Sequence, residues 1–281
     1  MYSILQNVVC EGDNMKKSNL VKAFAVMAIM TAGAFFAGCA NPVGGNNAGG
    51  STGGSSYSAK YAVGDIILND GSKVNYETAK NYTDSDLDGL KSKAIAVIFR
   101  ADTASKKALG VGLKHSISAL AWCTSDAKAF DKNIETIQCP ASGDAGNLTF
   151  TVDTDGSDNL EQIASFLTTA GLENDTTDAS KYPAFYFAKN YKTTATNLEA
   201  AYENGWYLPT VAELFDIWKV KTTVDAASSL CGGSQFGSYY WSSSQYASND
   251  KGAYKVSFSN WTCSDHPKVY CIYVCAVRAF N

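Results

Sequence analysis

Histidine is scarce in this chain, which has only His115 and His266 among 281 residues. Two histidines leave too little material for a multi-histidine metal site or for most histidine-based catalysis. Charge is also sparse, at 18% of residues, and the net charge of −4 provides no basic face of the kind that nucleic-acid-binding proteins show. Because 46% of residues are hydrophobic and 12% aromatic, a disordered chain is excluded. We therefore expect a globular protein that binds no nucleic acid.

Metal-binding cysteine motifs are missing too, because no CxxC pair occurs among the eight cysteines. Six cysteines lie beyond residue 60, namely Cys123, Cys139, Cys231, Cys263, Cys271 and Cys275. An even number in an exported protein is compatible with three disulfides, but the spacings leave the pairing open. The short-range candidates are Cys123 with Cys139, and Cys263 with Cys271.

The N-terminal residues predict export rather than folded structure. A short basic segment precedes an uncharged run over 23–38, which is shorter than the roughly 20 apolar residues of a membrane-spanning helix. The run fits the apolar part of a secretory signal and ends at Cys39 in a sequence that resembles a bacterial lipobox, although Phe36 replaces the usual Leu. We predict a lipoprotein signal peptide over 15–38, lipidation of Cys39 and a mis-assigned start over 1–14. An ordinary signal peptide with a chance cysteine is the alternative.

Residues 39–60 are rich in Gly, Ser and Asn and show no apolar periodicity, which is typical of a flexible tether. Such a tether reaches roughly 25 Å, enough to lift a domain clear of the lipid headgroups. Two or more acyl chains hold a protein stably on a bilayer. We therefore expect a bacterial membrane-anchored lipoprotein, exposed at the outer surface, with a single folded domain over 61–281.

Short strands are expected at both ends of this domain. An apolar run, an Asn-Asp-Gly turn and an alternating segment that ends at Tyr76 predict a hairpin over 66–76. The unbroken apolar run 94–99 predicts a buried strand, and the segment PAFYFAKNY over 183–191 predicts another. Over 254–258, apolar and polar residues alternate as in a half-buried strand.

Helices are expected in the middle of the domain. Apolar residues at helical spacing predict a helix from residue 157 or 158, and Gly171 lies where a helix commonly ends. A shorter helix is expected around 197–202. Thr210 and Glu213 form a capping box, which marks the start of a further helix. Strands, then helices, then strands predict an α+β fold.

A partial calcium-loop pattern precedes the first of these helices, at Asp153, Asp155, Ser157 and Asp158. The carboxylate that such a loop needs at its twelfth position is absent, because residue 164 is Ala. We therefore favour a turn and a helix cap over a calcium site.

The C-terminal part of the chain carries an ordered set of motifs. They are W-x-LPT-x-x-EL from Trp206, YWSSS from Tyr240, V-x-F from Val256 and a V-x-A-VR segment that ends at Arg278. In this order they resemble the bacterial C-type-lectin-like domains related to formylglycine-generating enzyme. With the lipobox and the hairpin, the chain is similar to the variable lipoproteins of spirochaetes, in which a retroelement with adenine-specific mutagenesis diversifies the C-terminal region.

The resemblance implies a C-type-lectin-like fold, with two or more helices around small antiparallel sheets and with the N- and C-terminal strands paired. It implies that Val256, Phe258, Trp261, Val274 and Val277 point inward. It also implies a variable ligand-binding region over about 240–275, whose remaining residues form one exposed surface suited to adaptable binding. The candidate ligand-binding residues are Tyr246, Asp250, Ser259, Asn260, Thr262, Cys263, Ser264, Asp265, His266, Tyr270, Cys271 and Tyr273.

The retroelement mechanism leaves a chemical constraint on this region. Randomising the adenines of an AAY codon never gives Lys, Glu, Gln, Met or Trp. All residues over 257–273 other than Trp261 and Lys268 belong to the accessible set. This composition is compatible with diversification and does not prove it, and an ordinary lectin-like surface loop is the alternative.

Two further alternatives concern function. A cysteine oxidase of the formylglycine-generating type would use Cys271 and Cys275, but a redox cysteine needs an exposed thiol of lowered pKa, and Cys275 lies in an apolar segment. A sugar-binding lectin or adhesin would need a Pro-containing carboxylate triplet such as EPN or QPD, and neither occurs. We predict a non-catalytic protein without a cofactor, whose ligand is an unidentified protein or other surface molecule.

Overall fold

The structure is a computed structural model that describes residues 57–144 and 146–281. The predicted mis-assigned start, the signal peptide, Cys39 and most of the tether lie outside the described residues. Within the described part of the chain, no helix is long and apolar enough to cross a membrane.

The regular secondary structure of the described residues consists of helices and short antiparallel strands, which confirms the α+β expectation. The helices are α1 (Tyr76–Ala79), α2 (Asp84–Lys93), α3 (Asn159–Thr169), α4 (Pro183–Lys189), α5 (Val211–Lys219) and α6 (Lys221–Leu230). The strands are β1 (Ile66–Leu68), β2 (Lys73–Val74), β3 (Ala94–Arg100), β4 (Ala108–Gly112), β5 (Leu120–Ala121), β6 (Ala141–Ser142), β7 (Thr149–Phe150), β8 (Trp206–Tyr207), β9 (Tyr239–Gln245), β10 (Gly252–Ser257), β11 (Thr262–Pro267), β12 (Cys271–Ile272) and β13 (Val277–Phe280). Short 3₁₀ turns lie at Glu135–Ile137, Gly156–Asp158, Tyr191–Thr193 and Ala200–Tyr202.

The largest sheet has six strands in the order β2-β1-β3-β4-β13-β8. The expectation that the N- and C-terminal strands pair is wrong, because β3 and β4 lie between β1 and β13. Both central strands are apolar and buried along almost their whole length, so they occupy the middle of the sheet. The start of the described residues still meets the last residue, since Lys60 Nζ and the Tyr61 hydroxyl donate to the Asn281 carbonyl oxygen at 2.6 and 2.9 Å.

Two apolar clusters cover the two faces of this sheet. In β3, Ile98 belongs to one cluster, whereas its neighbours Val97 and Phe99 belong to the other. Successive side chains of a strand point to opposite faces, so one unbroken apolar run can serve both clusters. The prediction of a buried strand at 94–99 is therefore confirmed.

Two strand predictions need correction. The hairpin forms between β1 and β2, with Ile66 opposite Val74, but Tyr76 begins α1 because the Asn75 side chain accepts a hydrogen bond from Glu77 N and caps the helix. The segment 183–191 begins with a helix, α4, rather than a strand. Pro183 occupies the first position of this helix, where the missing N–H of proline is no loss, and it is the local signal that favours a helix here.

The predicted start of α5 is confirmed and that of α3 is correct to within two residues, but the short helix expected around 197–202 is only a 3₁₀ turn at Ala200–Tyr202. In α5, Glu213 N donates to Thr210 Oγ1 at 3.2 Å, and Thr210 N donates to Glu213 Oε2 at 2.8 Å, which completes the capping box. Helix α3 begins at Asn159, and Gly171 follows its C-cap with a φ of +67°. Asp155 caps the preceding turn by accepting from Ser157 N, and no group of three or more metal-ligating side chains is found in the described residues.

Both candidate disulfides are wrong. Cys123 and Cys139 are free thiols and belong to different apolar clusters, on opposite sides of the main sheet. Cys263 is also free, because it lies on β11 opposite Val256, whereas Cys271 lies on β12 opposite Ala121. A short separation along the sequence therefore did not predict that the two cysteines of either pair lie close together in the fold.

Candidate functional site

The candidate ligand-binding region is built on a second sheet of three strands, in the order β11-β10-β9. In this sheet Ser264 lies opposite Lys255, and Lys255 lies opposite Trp241, so these three side chains share one face. The neighbouring residues Cys263 and Val256 lie opposite each other on the other face. The register thus divides the region into an inner and an outer face.

The inner face packs into the protein core. Helix α5 contacts β9 and β10 on this side, and Phe215 of α5 lies 4.5 Å from the Trp261 ring centre. Phe258 stacks on Phe236 with ring centres 4.2 Å apart. Beyond the sheet, Val274 and Val277 are also fully buried. The residues expected to point inward are all buried, namely Val256, Phe258, Trp261, Val274 and Val277.

The opposite side of the sheet and the adjoining Tyr270 carry an exposed cluster, which we call the outer face. It comprises the exposed residues Tyr239, Thr262, Ser264 and Tyr270 and the half-buried residues Lys255 and His266. Tyr239 and Tyr270 are 46% and 42% exposed, so large aromatic surface is presented to solvent. Tyr273 is 40% exposed, but it pairs with Tyr240 of the inner cluster, and their ring centres lie 6.3 Å apart. The His266 and Tyr270 rings meet edge to face with centres 4.9 Å apart, and Lys255 Nζ lies 4.6 Å from the Tyr239 ring centre.

None of the twelve predicted ligand-binding residues is buried. Four lie on the outer face, namely Thr262, Ser264, His266 and Tyr270, and Tyr273 is exposed beside Tyr240. Asp250, Ser259 and Asn260 lie in the exposed turns that join the strands, and Cys271 is half-buried on β12.

The expectation of one exposed surface is wrong for Tyr246, Cys263 and Asp265. Cys263 and Tyr246 pack against the inner apolar cluster. Asp265 lies opposite Tyr254 on the inner side, where its Oδ2 accepts from Asn249 Nδ2 at 2.7 Å. The reason is strand alternation, which sends every second residue of β11 to the other face.

Three residues of this region were missed, of which Tyr239 and Ile117 are exposed and Lys255 is half-buried. Tyr239 and Lys255 belong to the outer face through the strand register, and the alternation of β10 contained the signal for Lys255. Ile117 is 97% exposed and lies close in the fold, because Ser116 N donates to the Val274 carbonyl and Val274 N donates to Ser116 Oγ, both at 2.9 Å. Nothing in the local sequence links Ile117 to residues far along the chain.

A fully buried polar run supports the outer face from below. It consists of Ser242, Ser243, Ser244 and Gln245 on β9. The Ser242 hydroxyl donates to the Tyr254 carbonyl, and Ser244 Oγ accepts from Val211 N at the start of α5. The Gln245 amide donates to the Lys132 carbonyl and accepts from Ile134 N, at 2.8 and 3.1 Å. The side chains of Ser242, Ser244 and Gln245 thus hydrogen-bond neighbouring segments of backbone to the sheet.

Electrostatics do not activate the thiols of Cys263 and Cys275 as nucleophiles. Burial raises the pKa of the Cys263 thiol and, more strongly, that of Cys275, so both remain protonated at neutral pH. Partial burial and then the nearby Lys255 lower the pKa of His266, which is therefore neutral at pH 7. A neutral imidazole, hydroxyl groups and tyrosine rings are suited to hydrogen bonding and stacking with a ligand.

No family model and no curated protein matches the chain. Among solved structures, the fold is similar to that of a fimbrial protein from Bacteroides ovatus ATCC 8483, with a TM-score of 0.51 and 14% sequence identity. The likeness covers 78% of this chain and 49% of the fimbrial protein, so the chain spans about half the length of that protein. At this identity the likeness concerns the fold alone.

Proposed function

We propose that this protein is a bacterial surface lipoprotein that binds a ligand, without catalysis, through the outer face of a C-type-lectin-like domain. The observation that carries the proposal is the grouping of the exposed tyrosines Tyr239 and Tyr270 with His266, Lys255 and hydroxyl side chains on a well-anchored sheet. Tyrosine offers a large, rigid contact at low entropic cost, and serine and threonine add adaptable hydrogen bonds. The ligand would be a protein or another surface molecule, and no cofactor is needed for such binding.

The pattern of burial supports diversification of this region as part of the proposal. Trp261 and Lys268, the two residues over 257–273 that adenine mutagenesis could not produce, are both buried. Each of the outer-face residues of this segment belongs to the accessible set. Over 257–273, the residues that could not vary by this route are thus those with an internal role.

Neither functional alternative gains comparable support. A cysteine oxidase needs a reactive thiol, whereas Cys275 is fully buried and burial raises its pKa. For a calcium-dependent lectin, Asp265 would have to offer its carboxylate to the ligand, yet this side chain lies on the inner side and is bound to Asn249.

The ligand face is tested by binding with matched variants. Full-length protein would be applied to arrays of bacterial and host surface proteins and glycans, as wild type, as the double variant Tyr239→Ala, Tyr270→Ala, and as Tyr57→Ala. Tyr57 is an exposed tyrosine outside the outer face and serves as the control. We expect the control to keep the wild-type binding pattern and the double variant to lose it. Equal binding by the double variant would refute the assignment of the face.

The other parts of the proposal have their own tests. Labelled palmitate should enter the wild-type protein and not a Cys39→Ser variant. In sibling genes or a linked template repeat, substitutions should be confined to adenine positions of the 240–275 region, and even variation along the chain would remove the diversification claim. Turnover of a cysteine peptide that Cys275→Ser abolishes would establish the oxidase instead.

A further inference from the structure

Lys268 is a fully buried lysine in the middle of the ligand-binding region. Its ammonium group lies 2.7 Å from the Asp250 carbonyl oxygen, 3.1 Å from that of Ala129 and 3.2 Å from that of Phe130. The same ammonium lies 4.9 Å from the ring centre of Trp122. Its hydrogen bonds therefore go to backbone oxygens, and no carboxylate oxygen among the described residues lies within ion-pair distance of it.

The carbonyl oxygens and the Trp122 ring suit the hydrogen-bonding capacity and the charge of the Lys268 ammonium. An ammonium has three donors and no acceptor, and here three carbonyl oxygens receive them. A buried charge is costly unless it is hydrogen-bonded, and an aromatic face adds a favourable cation–π contact. The arrangement resembles the way that backbone carbonyls surround a bound metal cation.

The backbone of Lys268 joins the same segments. Lys268 N donates to the Lys251 carbonyl at 2.9 Å, and the Lys268 carbonyl accepts from Trp122 N at 2.9 Å. Side chain and main chain together connect the turn at 250–251, the segments 122–123 and 129–130, and the strand end at Pro267. Two outer-face residues, His266 and Tyr270, lie two positions to either side.

We propose that Lys268 is the positioning residue of the outer face, and that its buried ammonium takes the place of a structural cation by gathering three loop carbonyls. This assignment rests on the proposed function in one respect, namely that the outer face is the ligand face. Two of these carbonyls have a further partner, since Ala129 O accepts from Lys132 N at 3.5 Å and Asp250 O accepts from Gln245 Nε2 at 3.3 Å, and the ammonium joins all three carbonyls at once. Its neighbours can then present their side chains to solvent from a fixed backbone.

The titration of the Lys268 ammonium allows its hydrogen bonds to be tested by a change of pH. Burial lowers the pKa of Lys268 to about 8, against smaller opposing effects of Cys123, Asp250 and Asp131, which face it. At pH 7 the ammonium is charged and has a donor for each carbonyl. Above pH 8 the neutral amine has only two donors, so one carbonyl loses its hydrogen bond to Lys268.

The test compares Lys268→Met, which keeps the length of the side chain and removes the charge, with Lys268→Arg. Lys251→Met, at an exposed lysine of the adjoining turn, is the matched control. Amide hydrogen exchange of the full chain is measured over 262–273 and over the central strand β3. We expect Lys268→Met to raise exchange over 262–273 by about tenfold or more while β3 stays protected. Lys268→Arg should recover part of the protection, and the control should match wild type.

A pH series on the wild type keeps the inference testable even if Lys268→Met does not fold. Exchange over 262–273, corrected for its intrinsic pH dependence, should rise with a midpoint near pH 8, as should the chemical shift of the Lys268 ε-carbon. Unchanged exchange in Lys268→Met, an equal rise in β3, or no midpoint between pH 7 and 9 would each overturn the inference. Since no ligand is used, a failure here is distinct from a failure of the tyrosine variants to lose binding.

Discussion

Glu213 is a fully buried carboxylate at the start of α5, and its replacement by glutamine tests the electrostatics of the core. Its Oε1 accepts from the Tyr207 hydroxyl at 2.7 Å, and its Oε2 accepts from the backbone N–H groups of Thr210 and Gly156 at 2.8 and 3.3 Å. Burial raises the pKa of Glu213 from 4.5 to about 7, although the Thr210 N–H and the Tyr207 hydroxyl act to lower it. The group therefore titrates in the folded state near neutral pH.

The sign of the effect on stability follows from proton binding. Between pH 4.5 and 7 the folded state holds a proton on Glu213 that the unfolded state has lost, so the free energy of unfolding falls as the pH rises. A pKa difference of about 2.5 corresponds to about 3 kcal/mol, and relaxation of the site reduces this to an expected loss of about 2 kcal/mol between pH 5 and pH 8.

Glu213→Gln removes the titration and keeps the shape. The amide oxygen can accept from the backbone N–H groups of Thr210 and Gly156, and the amide nitrogen can donate to the Tyr207 hydroxyl, which then acts as acceptor. Urea unfolding at pH 5 and pH 8 should show a loss of stability in wild type that is about 2 kcal/mol larger than in Glu213→Gln. The control is Glu135→Gln, at an exposed glutamate. Equal pH dependence in wild type and Glu213→Gln would refute the reasoning.

Two further predictions concern buried groups. Burial raises the pKa of Asp153 to about 6, and its Oδ2 has no hydrogen-bond partner among the described residues, so Asp153→Asn should increase the free energy of unfolding at pH 8 by about 2 kcal/mol. No gain in urea unfolding at pH 8, or an equal gain at pH 4, would contradict this. Of the five thiols identified as free, only Cys263 is partly exposed, so it should react with a thiol reagent in the native protein, whereas Cys123, Cys139, Cys231 and Cys275 should react only after unfolding. The expectation fails if Cys263→Ser leaves the native rate of modification of these five unchanged.

Local signals were sufficient where one segment determines its own structure. The capping box at Thr210 and the apolar run of β3 needed no distant contact to be interpreted correctly. The strand prediction for 183–191 failed because aromatic and small residues in a short run fit both helical and strand spacing. There Pro183 decided the outcome, since its ring is compatible with the first helical turn and its side chain is buried with those of α4.

The candidate site was predictable only in part, because the pairing of strands in the sheet decides which side of each strand faces the core. Alternation within β11 correctly separates Ser264 and His266 from Cys263 and Asp265, but the sequence does not say which set faces the core. That choice is made by the register with β10, where Val256 brings Cys263 into the apolar cluster. Ile117 reaches the same region through hydrogen bonds with Val274, across a separation along the chain that no local pattern bridges.

The outer face and its support depend on different kinds of interaction. Ser242 and Ser244 of β9, Gln245 and Lys268 bind backbone groups, which every residue possesses whatever its side chain. The sheet is consequently held by contacts that do not involve the side chains of Ser264 and Tyr270. Substitutions at exposed positions away from such contacts usually change stability by less than about 0.5 kcal/mol. A surface of this kind can change its chemistry without losing its shape, whatever process introduces the changes.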